Sequence, residues 1–161
     1  MTDTESHVRI ERRLNASIET VWRMWTDPAL FARWYGPNGA SIPVAEMDVT
    51  VGGRRRICME MGRGDKTMRM WFTGIYKEVR APSRLVYTEA ICDENGTIIP
   101  AEKMGMPPGH PDITEVSVAL RADGVQTVMT MTHRGVPAGT AGEGGWVQAF
   151  GKLEALLARP A

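Results

Sequence analysis

The sequence predicts an α+β fold in which a curved antiparallel sheet of about seven strands wraps one long C-terminal helix, with two short helices after the first strand. Three observations predict it. From residue 44 to 134 apolar and polar side chains alternate with a period of two, interrupted by turn residues. The last stretch, Thr140 to Ala158, carries Trp146, Val147, Phe150, Leu153, Leu156 and Leu157 at helical spacing. Near the start, Trp22, Trp25 and Trp34 cluster in a stretch punctuated by Asp27-Pro28 and Gly36-Pro37, as large side chains that anchor something do. A run of strands with helices segregated to one side indicates α+β architecture.

Each element has a local reason. Val8, Ile10 and Leu14 alternate with charged residues and predict a first strand over residues 7–14. Asn15 or Ser17 can cap a helix whose first turn holds Glu19, where acidic charge suits the dipole. Ile18, Val21, Trp22 and Trp25 form its apolar stripe. Pro28 restricts Asp27 and ends this helix, yet suits the first turn of a second one. That second helix is expected from Pro28 to Tyr35, with Leu30, Phe31 and Trp34 on one side and Gly36-Pro37 as the stop.

A strand from Val44 to Val51 follows, then a Gly52-Gly53 hairpin turn, where glycine tolerates positive φ. Over residues 54–61, Arg54, Arg56, Cys58 and Glu60 share one face, against Arg55, Ile57, Met59 and Met61. The Arg54–Arg56 triplet reads as a solvated face. Gly62-Arg63-Gly64-Asp65 turns the chain into a strand with Met68, Met70, Phe72, Gly74 and Tyr76 in phase. Pro82-Ser83 breaks before Arg84 to Cys92, where Leu85, Tyr87, Glu89 and Ile91 oppose Val86, Thr88 and Ala90, and the sequence does not orient it. Residues 93–111 form a long connection rich in proline and glycine, of the kind that is functional or mobile. Strand signals resume over Ile113 to Leu120, Asp123-Gly124 makes a hairpin turn, and Val125 to His133 puts Met129, Met131 and His133 on one face.

The bulk numbers exclude several classes. At 161 residues one domain over 1–161 is the natural expectation. Lysine plus arginine and aspartate plus glutamate both number 19, so no net charge draws the chain to nucleic acid or to an anionic membrane. No apolar stretch approaches the length of a spanning helix, and Met1 to Ser6 is polar and acidic, without a signal-peptide core. Cys58 and Cys92, the only cysteines, fit a reducing compartment as thiols without a role, so the expected location is cytoplasmic.

Six motifs in order carry a family resemblance: Val21-Trp22-x-x-Trp25-Thr26-Asp27-Pro28, Trp34-Tyr35-Gly36-Pro37, Gly52-Gly53-Arg54, Gly74-x-Tyr76-x-Glu78, Pro82-x-Arg84-Leu85-Val86 and Gly145-Trp146. Over residues 8–157 the chain resembles the AHSA1-like group, bacterial relatives of the C-terminal domain of the activator of Hsp90 ATPase, within the START-like (SRPBCC, Bet v 1-like) superfamily. The resemblance implies a helix-grip fold around an apolar cavity. It also implies a range of functions, because the superfamily includes cyclases, dehydratases, lipid carriers and hormone receptors, and fold alone does not choose among them.

Sought chemistry is mostly missing from the sequence. No glycine-rich phosphate loop follows a strand, and Gly142, Gly144 and Gly145 read as a flexible lead into the last helix. His7, His110 and His133 stand far apart without a zinc motif, and no G-x-S-x-G elbow occurs, so neither metal nor cofactor is expected. The positive signal is a methionine-rich inward wall: Met59, Met61, Met68, Met70, Phe72, Val116, Val118, Met129 and Met131. Methionine is unbranched and polarizable, so it adapts to several apolar shapes. Trp34, Trp146, Phe150 and His133 complete the expected ligand-binding set. Polar anchors come from His133, Tyr76, Tyr87 and Glu89.

Burying about 300 Å² of apolar ligand surface is worth roughly 7 kcal/mol before ordering costs, which corresponds to micromolar binding after them. The leading expectation is therefore non-catalytic binding of a small hydrophobic molecule. Two alternatives stand beside it: a cyclase- or dehydratase-like enzyme using His133 or Glu89 as acid–base, and a stress-related interaction protein with an Hsp90-type chaperone as partner. A homodimer is compatible with the sequence; nucleic-acid and membrane partners are not expected.

Overall fold

The computed structural model describes residues 7–63, 65–106 and 108–158. The polar segment 1–6, Gly64 of the expected 62–65 turn and Pro107 of the long connection lie outside the described residues. Seven strands form one antiparallel open sheet in the order β1-β7-β6-β5-β4-β3-β2. They are β1 (His7–Leu14), β2 (Ala40–Met47), β3 (Arg54–Arg63), β4 (Lys66–Arg80), β5 (Arg84–Cys92), β6 (Thr114–Asp123) and β7 (Gln126–Pro137). Helices α1 (Ile18–Thr26) and α2 (Pro28–Phe31) carry the chain from the β1 edge to the opposite β2 edge. From there the strands meander back until β7 pairs with β1, and α3 (Ala141–Leu157) closes the chain.

Ser17, not Asn15, caps α1: its hydroxyl accepts from the Thr20 amide at 3.2 Å. The Asp27 carboxylate likewise caps α2 through the amides of Ala29 and Leu30. α2 is shorter than its apolar pattern suggested, ending at Phe31, and Trp34 and Tyr35 follow it in a turn. The β2 strand also begins earlier and stops earlier than expected, because residues 48–53 fold into a compact connection rather than a two-residue turn. Gly53 is required there: a Cβ would stand 2.0 Å from the Asp48 carbonyl oxygen.

The core is aromatic and lies where α1, α2 and α3 meet the sheet. Val21 and Trp25 from α1, Phe31 from α2, and Trp146, Ala149, Phe150 and Leu153 from α3 are buried. Trp25 contacts Trp34 edge-on at 4.8 Å between centroids, and Trp146 lies 5.4 Å from Phe150. The buried indole N–H groups are partnered: Trp34 donates to the Met24 carbonyl at 2.9 Å and Trp25 to the Met129 sulfur at 3.3 Å. The glycines expected as a flexible lead into α3 are instead its first turns. A Cβ on Gly142 would stand 2.6 Å from Val136 Cγ1, so glycine lets the helix start lie against the end of β7.

Candidate ligand-binding site

The sheet pairing itself opens the site. β6 pairs with β5 only as far as Thr114 opposite Glu89, while β5 runs on to Cys92 against β4. Beyond Thr114, residues 93–113 fold over the uncovered end of β5. Ile98 bridges to Cys92, the Ile99 amide donates to the Ile91 carbonyl at 2.9 Å, and a 3-10 turn forms at Ala101–Met104. The Ala101 amide donates to Asp112 Oδ1 at 2.7 Å and ties the middle of this segment to its end. Between it, the end of β7 and the first turn of α3 lies a cavity of about 440 Å³. Its walls are Phe72, Ile91, Ile99, Ala101, Met106 and Val136, with Glu89, Thr114 and His133 at depth and His110 and Asp112 on the loop side. A smaller compartment of about 150 Å³ shares Phe72, Glu89, His133, Val136 and Gly142, and adds Tyr35, Met59 and Trp146.

Three residues from distant parts of the sequence converge on a buried polar cluster at this depth. Glu89, only 8% exposed, accepts on Oε1 from the Tyr35 hydroxyl at 2.9 Å and from Arg55 Nη1 at 3.5 Å. Arg55 is 1% exposed, and its guanidinium lies 3.8 Å from the Tyr87 ring centroid and 5.4 Å from that of Phe31. Among the described residues its Nε and Nη2, and the hydroxyls of Tyr76 and Tyr87, have no hydrogen-bond partner. Aromatic faces, more than hydrogen bonds, hold this cation. Burial, and then the Glu89 charge, push the Tyr35 phenol well above its ordinary range, so it remains a donor.

The histidine tautomer follows from its neighbours. Trp146 Nε1 can only donate, and it lies 2.9 Å from His133 Nδ1, so Nδ1 is the acceptor and the proton sits on Nε2. His133 Nε2 then donates to Thr114 Oγ1 at 2.8 Å, and Thr114 donates onward to the Glu89 carbonyl at 3.1 Å. Burial lowers the His133 pKa from its ordinary 6.5, because a cationic ring would be desolvated. It would also turn Nδ1 into a second donor facing the Trp146 N–H. Glu89 Oε2, 4.0 Å from His133 Nε2, has no hydrogen bond among the described residues.

The residues expected at the ligand site are scattered by the fold. Phe72 and His133 line the large cavity, and Met59 and Trp146 line the smaller one. Trp34, Val116, Val118, Met129, Met131 and Phe150 are buried in the core and line neither. Met61 is half-buried, and Met68 and Met70 are exposed on the outer reach of the β3–β4 hairpin, where residues 65–70 have nothing packed over them. The Arg54–Arg56 triplet is corrected at its centre: Arg55 points inward, because on β3 it is in phase with Ile57 and Met59. A charge in phase with an apolar face was the signal available for it. Thr114 and the cavity walls drawn from 99–111 had no periodicity to mark them. Cys58 and Cys92 are buried, which pushes both thiols up and away from nucleophilic thiolate chemistry. Among the described residues no group of three His, Cys, Asp or Glu side chains could hold a metal ion, and no helix is long and apolar enough to cross a membrane.

An antiparallel sheet gripping a C-terminal helix, with an apolar cavity at the helix start, defines a helix-grip protein. The sequence pattern of the Activator of Hsp90 ATPase homolog 1-like proteins (AHSA1) matches residues 15–158, and the chain belongs to that family. Its structure is similar to a protein from Chromobacterium violaceum at 24% identity and TM-score 0.77, over 96% of this chain and 99% of that one. It is also similar to the AHSA1 protein of Silicibacter pomeroyi at 22% identity and TM-score 0.72, over 95% of this chain and 98% of that one. CalU16 from Micromonospora echinospora is similar at 19% identity and TM-score 0.61, over 94% of this chain and 76% of that one. At these identities the likeness is one of fold. Among curated proteins, none matches the sequence.

Proposed function

We propose that this protein binds a small, mainly apolar molecule in the cavity at the start of α3 and does not transform it. The observation that supports this most is the volume of about 440 Å³ walled by Phe72, Ile91, Ile99, Ala101, Met106 and Val136. A pocket of this size and apolar character suits a drug-sized ligand. The enzyme reading finds Glu89 and His133 side by side, but the histidine is poorly placed to act as a base. Its lone pair accepts the Trp146 N–H and its own N–H is given to Thr114.

Native mass spectrometry of protein purified by mild extraction tests the reading. The expected result is a one-to-one complex with a molecule of a few hundred daltons, or uptake of one from an apolar library at micromolar concentration. A protein that carries no ligand and takes up none would overturn it, and release of a chemically altered compound would favour the enzyme.

A further inference from the structure

Taking the cavity as a ligand site, we propose that its occupant is a neutral molecule with a hydroxyl group, an alcohol or phenol, on an otherwise apolar body, and that this hydroxyl donates to Glu89 Oε2. The side-chain donors that reach the deep end of the two compartments are already spent: Tyr35 O–H on Glu89 Oε1, Trp146 N–H on His133 Nδ1, His133 N–H on Thr114, and Thr114 O–H on the Glu89 carbonyl; the unpartnered groups of Arg55, Tyr76 and Tyr87 line neither compartment. One deep acceptor remains, Glu89 Oε2, on a side chain more than nine-tenths buried that lines both compartments. A ligand carbonyl or ether directed there would meet no donor and would lose its hydration without replacement. A ligand hydroxyl supplies the missing donor.

Charge then separates a neutral donor from a cationic one. Arg55 and Glu89 are both buried and offset each other, so the cluster carries no net charge. An ammonium at Oε2 would leave the cluster at +1, and a carboxylate would leave it at −1, in either case a buried uncompensated charge. A hydroxyl keeps the balance. Among the cavity walls the only other carboxylate is Asp112, on the exposed loop side and already bonded to the Ala101 amide, and no lysine or arginine is present to receive an anion.

Four probes sharing one aromatic body test the proposal: 2-naphthol, 2-methylnaphthalene, 2-naphthoate and 2-naphthylmethylammonium, each measured at pH 7.5 by displacement of N-phenyl-1-naphthylamine. The expected order places 2-naphthol first, about ten-fold tighter than 2-methylnaphthalene, with both charged probes weaker still. Equal binding of 2-naphthol and 2-methylnaphthalene, or tightest binding by either charged probe, overturns the hydroxyl assignment while leaving the cavity as a ligand site. No binding by any probe overturns both. The Glu89→Gln variant adds a second measurement: where it folds, the advantage of 2-naphthol should fall and 2-naphthoate should gain, since Arg55 has lost its counter-charge. An unchanged preference for 2-naphthol in folded Glu89→Gln would contradict the proposal.

Discussion

The two ends of α3 face opposite kinds of interior. Toward its middle and C-terminal half, Phe150 and Leu153 are buried, Phe150 against Trp25 and Trp34, and neither lines a cavity. At its first turn, Ala141 and Gly142 face Val136, Ala101 and Ile91 across a cavity. The same helix on the same sheet thus seals one region and leaves the other open. The difference comes from side-chain size and from β6 stopping at Thr114, not from a change of fold. It teaches that the tryptophan signature builds the scaffold, while the small residues and the irregular loop build the site.

Arg55 bridges the two regions, stacking near Phe31 on the filled side and pairing with Glu89 on the open side. Breaking that bridge should have the largest effect. Arg55→Ala leaves Glu89 as an unpaired buried charge and should cost about 3–5 kcal/mol, read as a lower midpoint in urea unfolding. A loss under about 1 kcal/mol would mean that the pair is not buried as described.

Filling each region separately sharpens the contrast. Val118→Phe adds bulk where packing is complete and should destabilise by about 1–3 kcal/mol. Ala101→Leu adds bulk beside the cavity and should change stability by less than about 1 kcal/mol. Equal penalties from the two substitutions would erase the distinction between filled and open interior.

A smaller effect concerns pH. Burial holds His133 below its ordinary 6.5, so below that pH the unfolded chain binds a proton that the folded one resists. Its contribution is therefore absent above about pH 6.5, and stability should decline as pH falls through and below that value, by at most about 1.4 kcal/mol per pH unit for this group. His133→Gln should flatten that part of the profile in unfolding midpoints collected from pH 7.5 to 5. Trp146→Phe removes the donor to His133 Nδ1, and the loss of that hydrogen bond should cost about 1 kcal/mol. It should also raise the histidine pKa, visible in the titration of its ring protons.

How much of this was legible in the sequence follows the same division. The filled region was readable because large apolar residues at periods of two and 3.6 must face inward: Trp25, Phe150, Met129 and Met131 all do. β5 could not be oriented because both of its faces are covered, with Val86 and Ala90 buried as well as Leu85, Tyr87 and Glu89, so no alternation survived. Periodicity assigns a face but not a depth, which is why Met68 and Met70 shared the phase of Phe72 yet lie exposed. The cavity is defined by where strand pairing ends and by how 93–113 folds back, and both are tertiary facts with no repeating pattern. Glu89 and His133 were visible as candidates. Their joining through Thr114, Tyr35 and Arg55 needed the register of four strands and the turn after α2.

Titration of the neutral dye N-phenyl-1-naphthylamine into the wild-type protein and into Ala101→Leu tests the central claim most directly. The account predicts saturable one-to-one binding in the micromolar range for the wild type, and loss of at least about ten-fold in affinity for a variant that unfolds at the same urea concentration. Absence of binding by the wild type, or unchanged binding by Ala101→Leu, would contradict it.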